Sequence, residues 1–437
     1  MANDSPSPDQ QDAGPHRATV ARQRGGFWRT TTRTKLPTWL TAALVVGFVV
    51  ATLSVYIPGD WRSGDVTIYH IYAVAFWNGL PHPLLPAEYP PLAILPFSVT
   101  LAGPPDWYPD VFAFWMGALF IVGWFCFRKW TTPREAAAYA FYLLAAGSAT
   151  LLFRYDLLPA LVTVGALWSA QRNHFRASYA LVAFGTLLKL FPIILLPVVA
   201  IAHWRGRRDA DVNALRHVAL AAGGCLAMIA AGFLVAAIFD PARGLSALTF
   251  DLKRPTEVES VPATLLWLGS LAGISVRPAA GSSLNLIGAL SDPIGVVAIF
   301  ALGAGVLWVF WRQIHGHITA GQAAVAMLLV LLCSSKVLSA QYLIWLAPLL
   351  ATTVGFEMRW FALCLMTALI FPGLWDIGVH ERGPTIAYGS VLLVGIAVRN
   401  ALLIYLTARF LVAPGIDRAS ERIAEMPRVP LPGAVRA

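Results

Sequence analysis

The chain has 437 residues, of which 57% are hydrophobic and 13% charged, against about 25% charged in an average soluble domain. This composition excludes a soluble globular enzyme, because a soluble fold of this size has no interior large enough for so much apolar surface. The formal net charge of +9 does not indicate a nucleic-acid binder, since the Lys and Arg residues stand between apolar runs rather than in one cluster.

Hydropathy predicts an all-α integral membrane protein. Residues 1–35 are rich in Ser, Pro, Gln and Arg, so we expect a disordered cytoplasmic tail there. A polytopic transmembrane domain should cover 36–410, and a cytoplasmic C-terminal tail 411–437. About 20 apolar residues per span predict about twelve transmembrane helices, with shorter ones where a helix is broken. In chain order they cover 36–57, 110–127, 135–153, 157–170, 177–188, 191–203, 212–239, 293–311, 319–335, 342–356, 360–375 and 384–410.

The positive residues indicate the orientation. Most of the 32 Lys and Arg fall on the side of the N-terminus, and the basic residues of short loops stay in the cytoplasm. We therefore expect a multi-pass protein of the cell membrane with both termini cytoplasmic and two long outer loops, 58–109 and 240–292. Residues 66–78, 92–102 and 261–272 in these loops are expected to lie along the membrane interface. Residues 177–203 are read as two short helices that meet near Lys189, because one continuous helix would place the Arg-rich stretch 205–208 outside.

Ionisable groups at the outer ends of the spans are the candidates for chemistry, because a charge near hydrocarbon costs about 2.5 to 3.5 kcal/mol. Asp65 begins the first interfacial helix, where it is either an N-cap or a functional carboxylate. Asp60, the nearby competitor, lies in a sequence typical of a turn.

Three further positions lie at outer helix ends. Arg154 and Asp156 share a short turn, where they either neutralise each other or serve a site. Lys189 has no acidic residue within ten positions, so it either snorkels to the headgroups or binds an anion. Lys336 repeats this situation beside hydroxyl and amide groups. Two such lysines on one membrane face indicate an anionic guest.

The second outer loop adds the mixed-charge segment 253–260, which alone would be an ordinary solvated run. Together with Arg154, Lys189 and Lys336 it would surround one carboxylate with cations, which suits a phosphate leaving group and a base for an attacking hydroxyl. The sequence has no Walker, HExxH or Gly-x-Ser-x-Gly motif, which argues against nucleotide hydrolysis and metalloprotease chemistry. The four Cys residues show no metal-binding spacing, so we predict no metal site from them.

The order and spacing of these pieces resemble glycosyltransferase family 87, membrane mannosyltransferases of the C-type (GT-C) fold found largely in actinobacteria. The likeness extends over about 38–410. It rests on Gly64-Asp65 with the Tyr-rich helix that ends at Trp77-Asn78-Gly79, and on the segments 88–91, 154–159, 189–192, 254–262 and 336–345.

The resemblance implies transfer of a sugar, mannose in the first instance, from a polyprenyl-phosphate carrier to a glycolipid or glycan at the outer face. It implies that Asp65 is the general base and that the donor phosphate is bound by Arg154, Lys189, Arg254 and Lys336. Substrate contacts would come from Glu88, Tyr89, Asp156, Glu257, Glu259, Gln341 and Tyr342. Direct displacement by one base would invert the anomeric centre.

Such a displacement requires no cofactor and no metal ion, because fixed cations stabilise the leaving phosphate. Asp65, Glu88 and Asp156 together remain an alternative metal-binding set. The Pro-rich stretch 80–86 departs from the pattern and leaves the acceptor open.

Two other interpretations remain. A transporter or lipid flippase also buries charges among many helices, but it usually shows internal repeats and a midplane site, and the sequence contains no convincing repeat. A transferase that uses polyprenyl-phosphate-arabinofuranose fits the same residues. The expected partners are a polyprenyl-phosphate-linked sugar donor, a glycolipid or glycan acceptor and membrane lipids, with no nucleic acid.

Overall fold

The computed structural model describes residues 63–78, 85–147, 149–208, 211–279, 283–382 and 385–413. The predicted N-terminal tail, the first predicted span 36–57 and Asp60 lie outside the described residues. So does the predicted C-terminal tail, apart from its first three residues, in which the last helix ends.

Helices account for most of the described residues. They are α1 Ser63–Trp77, α2 Ile94–Ser98, α3 Tyr108–Trp130, α4 Pro133–Ala146, α5 Leu157–Gln171, α6 Phe175–Leu188, α7 Leu195–Arg207, α8 Ala214–Phe239, α9 Ala247–Lys253, α10 Val261–Leu271, α11 Ser291–Ile314, α12 Ala320–Ser334, α13 Tyr342–Thr353, α14 Met358–Ala368, α15 Trp375–Gly378 and α16 Ser390–Val412. Short 3-10 segments cover Pro91–Ala93, Val99–Ala102, Pro105–Trp107 and Phe191–Ile194.

Five helical stretches among the described residues are long and apolar enough to cross a membrane. They are Pro105–Trp130, Ala214–Phe239, Ser291–Ile314, Met358–Gly378 and Ser390–Val412. Other apolar helices, such as α5, α6, α12 and α13, have 12 to 15 residues. The protein is therefore a helical membrane protein, and the count of twelve spans stays a prediction.

The predicted boundaries fail where the chain breaks a helix before its apolar run ends. The predicted span 135–153 ends at Ala146, and residues 149–153 belong to the turn that contains Arg154. The predicted span 384–410 begins only at Ser390, because residues before it form a strand. The predicted span 360–375 is interrupted by a π-helical segment, Leu369–Leu374, which contains Pro372.

Two small antiparallel sheets were not predicted. The first has the order β1-β3-β2, with β1 Thr256–Glu257, β2 Val276–Ala279 and β3 Asn285–Gly288. The second is the hairpin of β4 Val379–Arg382 and β5 Thr385–Tyr388. Strands of four residues or fewer are too short to show an alternating pattern in an apolar sequence.

Local signals explain several helix boundaries. Thr132 and Thr319 each begin a helix with a capping box, in which Glu135 and Gln322 reach back to the cap backbone. Ser260 caps α10 by accepting a hydrogen bond from the backbone N–H of Ala263.

Three apolar clusters hold the helices together. The largest contains residues of every helix from α3 through α8, together with residues of α12, α13, α14 and α16. A second packs α1 and α2 against Phe112 and Tyr155, and includes Tyr69 and Phe97. We keep the names first outer loop for 58–109 and second outer loop for 240–292; the side of the membrane on which they lie stays a prediction. The third joins Leu266 and Leu286 of the second outer loop to Leu392 and Ile396 of α16. The second cluster fixes α1 against the turn between α4 and α5, and this contact positions the site described next.

Candidate functional site

Asp65 and Arg154 form an ion pair. Asp65 lies in the first turn of α1, and Arg154 lies in the turn between α4 and α5. Their side chains are 28% and 19% exposed, so the pair stands at the edge of the protein interior. Burial lowers the pKa of the Arg154 guanidinium to about 10, and the nearby Asp156 opposes this shift, so Arg154 is charged at neutral pH.

Asp156 pairs with Lys189 rather than with its neighbour Arg154. The Lys189 Nζ lies 2.6 Å from Asp156 Oδ1, and the Trp345 indole N–H donates to the same oxygen. Asp156 is fully buried, and its Oδ2 has no hydrogen-bond partner within the described part of the chain. The acidic partner of Lys189 thus lies 33 positions away in the sequence. The Lys189 ammonium points into the protein rather than toward the lipid headgroups.

Three aromatic rings surround the Lys189 ammonium. Its Nζ lies 4.9 Å from the ring centre of Tyr155, 5.2 Å from that of Trp345 and 5.8 Å from that of Tyr89. Burial lowers the pKa of Lys189, while Asp156 and, more weakly, Asp251 oppose the shift. Cation–π contacts and the ion pair together compensate the desolvated charge.

A cluster of tyrosines connects the first outer loop to this turn. The ring of Tyr69 in α1 stacks on that of Phe97, with 4.2 Å between the ring centres. Its centre lies 5.8 Å from that of Tyr89 and 5.7 Å from that of Tyr155, and both of these contacts are edge-to-face. Burial raises the pKa of Tyr69, Tyr89 and Tyr155, so all three hydroxyls are neutral hydrogen-bond donors.

Glu88 accepts a hydrogen bond of 2.7 Å from the Tyr72 hydroxyl. Burial raises the pKa of Tyr72 to about 12, and Glu88 adds to the shift. The neighbouring backbone is held by the second outer loop, since Ser246 Oγ donates to Ala87 O and Asp240 accepts from the Leu85 N–H. Glu88 therefore stands where the two outer loops meet.

Arg254 and Lys336 lie around Glu257. Arg254 is 3.3 Å from Asp251 and 3.8 Å from Glu257, and the Lys336 ammonium donates to the Leu252 carbonyl at 2.8 Å. Asp251, which also belongs to the second outer loop, weakly raises the pKa of Lys189.

Glu257 is almost fully buried and is bound by the chain just after Lys336. Its carboxylate accepts from the Leu338 N–H at 3.0 Å and from the Ser339 hydroxyl at 2.7 Å. Its own N–H donates to the Lys336 carbonyl at 2.9 Å. Burial raises the pKa of Glu257, although Arg254 and these hydrogen bonds oppose the shift.

The remaining sequence-predicted residues are Glu259, in the second outer loop, and Gln341 and Tyr342, in the chain that follows Lys336. Gln341 precedes α13, and the ring of Tyr342 stacks on that of Trp345 at 4.0 Å. Glu259 is buried and pairs with Arg399 of α16 at 3.4 Å. Burial raises the pKa of Glu259 to about 7, although Arg399 opposes the shift. Glu257 and Glu259 are thus engaged by the protein itself.

Among the described residues, no three His, Cys, Asp or Glu side chains gather as a metal site would require. Asp65 instead contacts Arg154, Asp156 contacts Lys189, and Glu88 contacts Tyr72.

Sequence reasoning did not select Tyr72, Trp345, Arg399 or Asn400 as site residues. An Arg inside an apolar span was a usable signal for Arg399, because such a charge needs a partner. Tyr72 and Trp345 gave no comparable signal, since aromatic residues are common near membrane interfaces.

The sequence model of glycosyltransferase family 87 matches residues 88–335, which is more than half of the chain. The matched region includes Glu88, Arg154, Lys189 and Arg254, whereas Asp65 precedes it and Lys336 follows it directly. No curated protein matches the chain.

Proposed function

The chain belongs to glycosyltransferase family 87, and from this premise we propose that it transfers a hexose from a polyprenyl-phosphate donor to a glycolipid or cell-envelope glycan. It is a membrane glycosyltransferase. Mannose is the sugar that we propose, on the resemblance of its motifs to membrane mannosyltransferases. The active site is proposed to face the outside of the cell membrane, with both termini in the cytoplasm.

The ion pair of Asp65 and Arg154 is the observation that carries this proposal. It joins a carboxylate in the first turn of α1 to a guanidinium that is charged at neutral pH. A base and an anion-binding group next to each other are what displacement of a phosphate by a hydroxyl requires.

In the proposed reaction, Asp65 accepts the proton of the acceptor hydroxyl as its oxygen attacks the anomeric carbon. The bond from that carbon to the phosphate oxygen breaks, and the electron pair leaves with the polyprenyl phosphate. Attack and departure occur on opposite faces, so the anomeric configuration inverts. No general acid is needed, because a phosphate whose charge is held by cations is a good leaving group.

Arg154 has a second role in this scheme. Without donor, its guanidinium neutralises Asp65 and reduces the basicity of the carboxylate. The phosphodiester of a bound donor carries one negative charge, like the carboxylate, and offers Arg154 two oxygens for a bidentate contact, so it competes with Asp65 for the guanidinium. The base thus becomes available when the leaving group is in place, which disfavours transfer of the proton in an empty site.

The other cations and polar groups have proposed binding roles. Lys189, Arg254 and Lys336 contribute positive potential to the donor phosphate, and the first is oriented by its contact with Asp156. Glu88, Tyr89, Asp156, Gln341 and Tyr342 supply hydrogen bonds and ring faces to the sugars.

Purified protein in detergent, given radiolabelled polyprenyl-phosphate-mannose and membrane glycolipids, tests this function. We expect label in the glycolipid fraction, and less from polyprenyl-phosphate-arabinofuranose. A preference for the arabinofuranose donor would replace the sugar but keep the reaction. No transfer from either donor, together with movement of the labelled lipid between leaflets of a vesicle, would favour a flippase.

A further inference from the structure

Two adjacent buried polar residues, Arg399 and Asn400, lie within α16, the last helix long enough to cross the membrane. Arg399 is 1% exposed and Asn400 is 0% exposed. A charge inside such a helix is costly unless other groups of the protein receive its hydrogen bonds. Within the described residues, the groups that receive hydrogen bonds from Arg399 and Asn400 all belong to the second outer loop, and the Nε and Nη1 of Arg399 have no hydrogen-bond partner there.

Arg399 and Asn400 bind the backbone at the start of α10. The Arg399 guanidinium donates to the Glu259 carbonyl at 2.8 Å, and its distance to the Glu259 carboxylate is 3.4 Å. The Asn400 amide lies 3.0 Å from the Glu259 carbonyl, 3.1 Å from the Ser260 carbonyl and 2.8 Å from the Thr264 hydroxyl. The shorter contact of Arg399 and two of the three contacts of Asn400 are thus to main chain, so these side chains fix where the backbone lies.

The same short segment is fixed at its other side by Glu257. Glu257 binds the backbone of Leu338 and the hydroxyl of Ser339, and its N–H binds the carbonyl of Lys336. Arg254 lies three residues before Glu257 and is paired with it at 3.8 Å. The side chain of Lys336 returns to the Leu252 carbonyl at 2.8 Å. Residues 252–260 and 336–339 therefore form one hydrogen-bonded unit, which we call the cation segment.

We propose that Arg399 and Asn400 are positioning residues that hold the cation segment, and through it Arg254 and Lys336, at the distance that the donor phosphate requires. This inference rests on the proposed function, in which these two cations bind the phosphate. Neither positioning residue touches the substrate. Helix α16 thereby determines where two cations of the site lie. These are Arg254 on the second outer loop and Lys336 before α13.

The test compares Arg399→Met with a matched variant, Arg312→Met. Arg312 is also a buried arginine that donates to main-chain carbonyls, those of Leu411 and Ala413, but it acts at the other end of the same helix. We expect Arg399→Met to raise the KM for polyprenyl-phosphate-mannose at least tenfold, with the acceptor KM unchanged within twofold. Arg312→Met should leave the donor KM within twofold of wild type, whatever it does to thermal stability.

Two further variants separate positioning from charge burial. Arg399→Lys keeps a donor near the Glu259 carbonyl, so we expect it to recover part of the donor KM. The double variant Glu259→Gln with Arg399→Met removes both buried charges but not the need to hold the backbone. Its thermal stability should improve over that of Arg399→Met alone, while its donor KM stays raised. A donor KM that returns to the wild-type value in the double variant would overturn the inference.

Hydrogen exchange gives a readout that does not depend on activity. In Arg399→Met the amides of residues 254–260 and 336–339 should exchange at least tenfold faster than in wild type, and those of α5 and α6 should not change. Unchanged exchange in the cation segment would overturn the inference even if the protein transfers mannose. A wild-type protein that transfers no sugar would instead refute the proposed function, and accelerated exchange would still support the positioning role.

Discussion

Replacing Asp65 by Asn is the sharpest test of the proposed base, because the structure predicts a large effect on rate and a small one on stability. Asn keeps the shape of the side chain and loses its charge and basicity. Loss of a general base lowers a rate by about 10² to 10⁴, which is about 2.7 to 5.4 kcal/mol in the activation free energy.

The cost to folding is smaller because the pair is partly solvated. The side chains of Asp65 and Arg154 are 28% and 19% exposed, which places the pair between surface and buried cases. Exposed pairs contribute about 0 to 1 kcal/mol, and breaking a buried one costs about 3 to 5 kcal/mol. We expect a loss of about 1 to 2 kcal/mol from interpolation between these limits. Asp65→Asn should therefore fold.

The assay measures initial rates with saturating radiolabelled polyprenyl-phosphate-mannose, beside the thermal midpoint of the same preparation in detergent. Asp106→Asn is the control, since Asp106 is an exposed carboxylate in the same outer loop. A variant at Asp65 that retains more than a tenth of the wild-type rate would refute the proposed base. Loss of activity only in step with loss of the folded fraction would also refute it.

Three other predictions concern neighbouring groups. Asp156→Asn leaves the buried Lys189 without its charged partner, and we expect it to destabilise the protein by about 3 to 5 kcal/mol; an unchanged thermal midpoint would contradict this. Burial raises the pKa of the folded Glu259 carboxyl to about 7 from its ordinary 4.5, so between these pH values the folded protein binds a proton that the unfolded chain releases. This group's contribution to stability therefore falls as pH rises from about 5 to 7. The thermal midpoint of Glu259→Gln should therefore fall less over that range than that of wild type, and parallel curves would count against the assignment. Tyr72→Phe removes the hydrogen bond to Glu88, a proposed substrate contact. We expect it to raise the KM of either the donor or the acceptor about threefold to tenfold in steady-state kinetics, and unaltered KM values for both substrates would disprove this.

The positions of several helices follow from the sequence, because apolar length is a direct signal in a membrane protein. The predicted span 157–170 corresponds to α5, and 319–335 corresponds to α12, each within two residues at either end. The end predicted for the helix over 135–153 was wrong: the helix ends at Ala146, and residues 149–153 form a turn although four of these five residues are apolar. Hydropathy measures burial, and a buried turn satisfies it as well as a helix does.

The partners of the candidate charges did not follow from the sequence. Arg154 and Asp156 are two positions apart, which favours a local pair, yet Arg154 contacts Asp65 and Asp156 contacts Lys189. Distance along the sequence shows only which residues are neighbours in the chain. The packing of α1 against the turn between α4 and α5 determines which carboxylate pairs with which cation. The tyrosine cluster around Tyr69 produces that packing, and its geometry depends on contacts among three separate segments.

Helix α11 has a consequence for how this protein tolerates sequence change. In its most apolar 18-residue window only 6% of residues are buried within the protein, compared with 44% in the stretch that contains α3. Lipid chains adapt to any apolar side-chain shape, so the exposed apolar side chains of this helix are constrained by solubility in hydrocarbon rather than by fit. Val297 and Phe300, both exposed, are thus interchangeable with other aliphatic or aromatic residues, and a spectroscopic label attached there would report on the surrounding bilayer while the enzyme worked undisturbed.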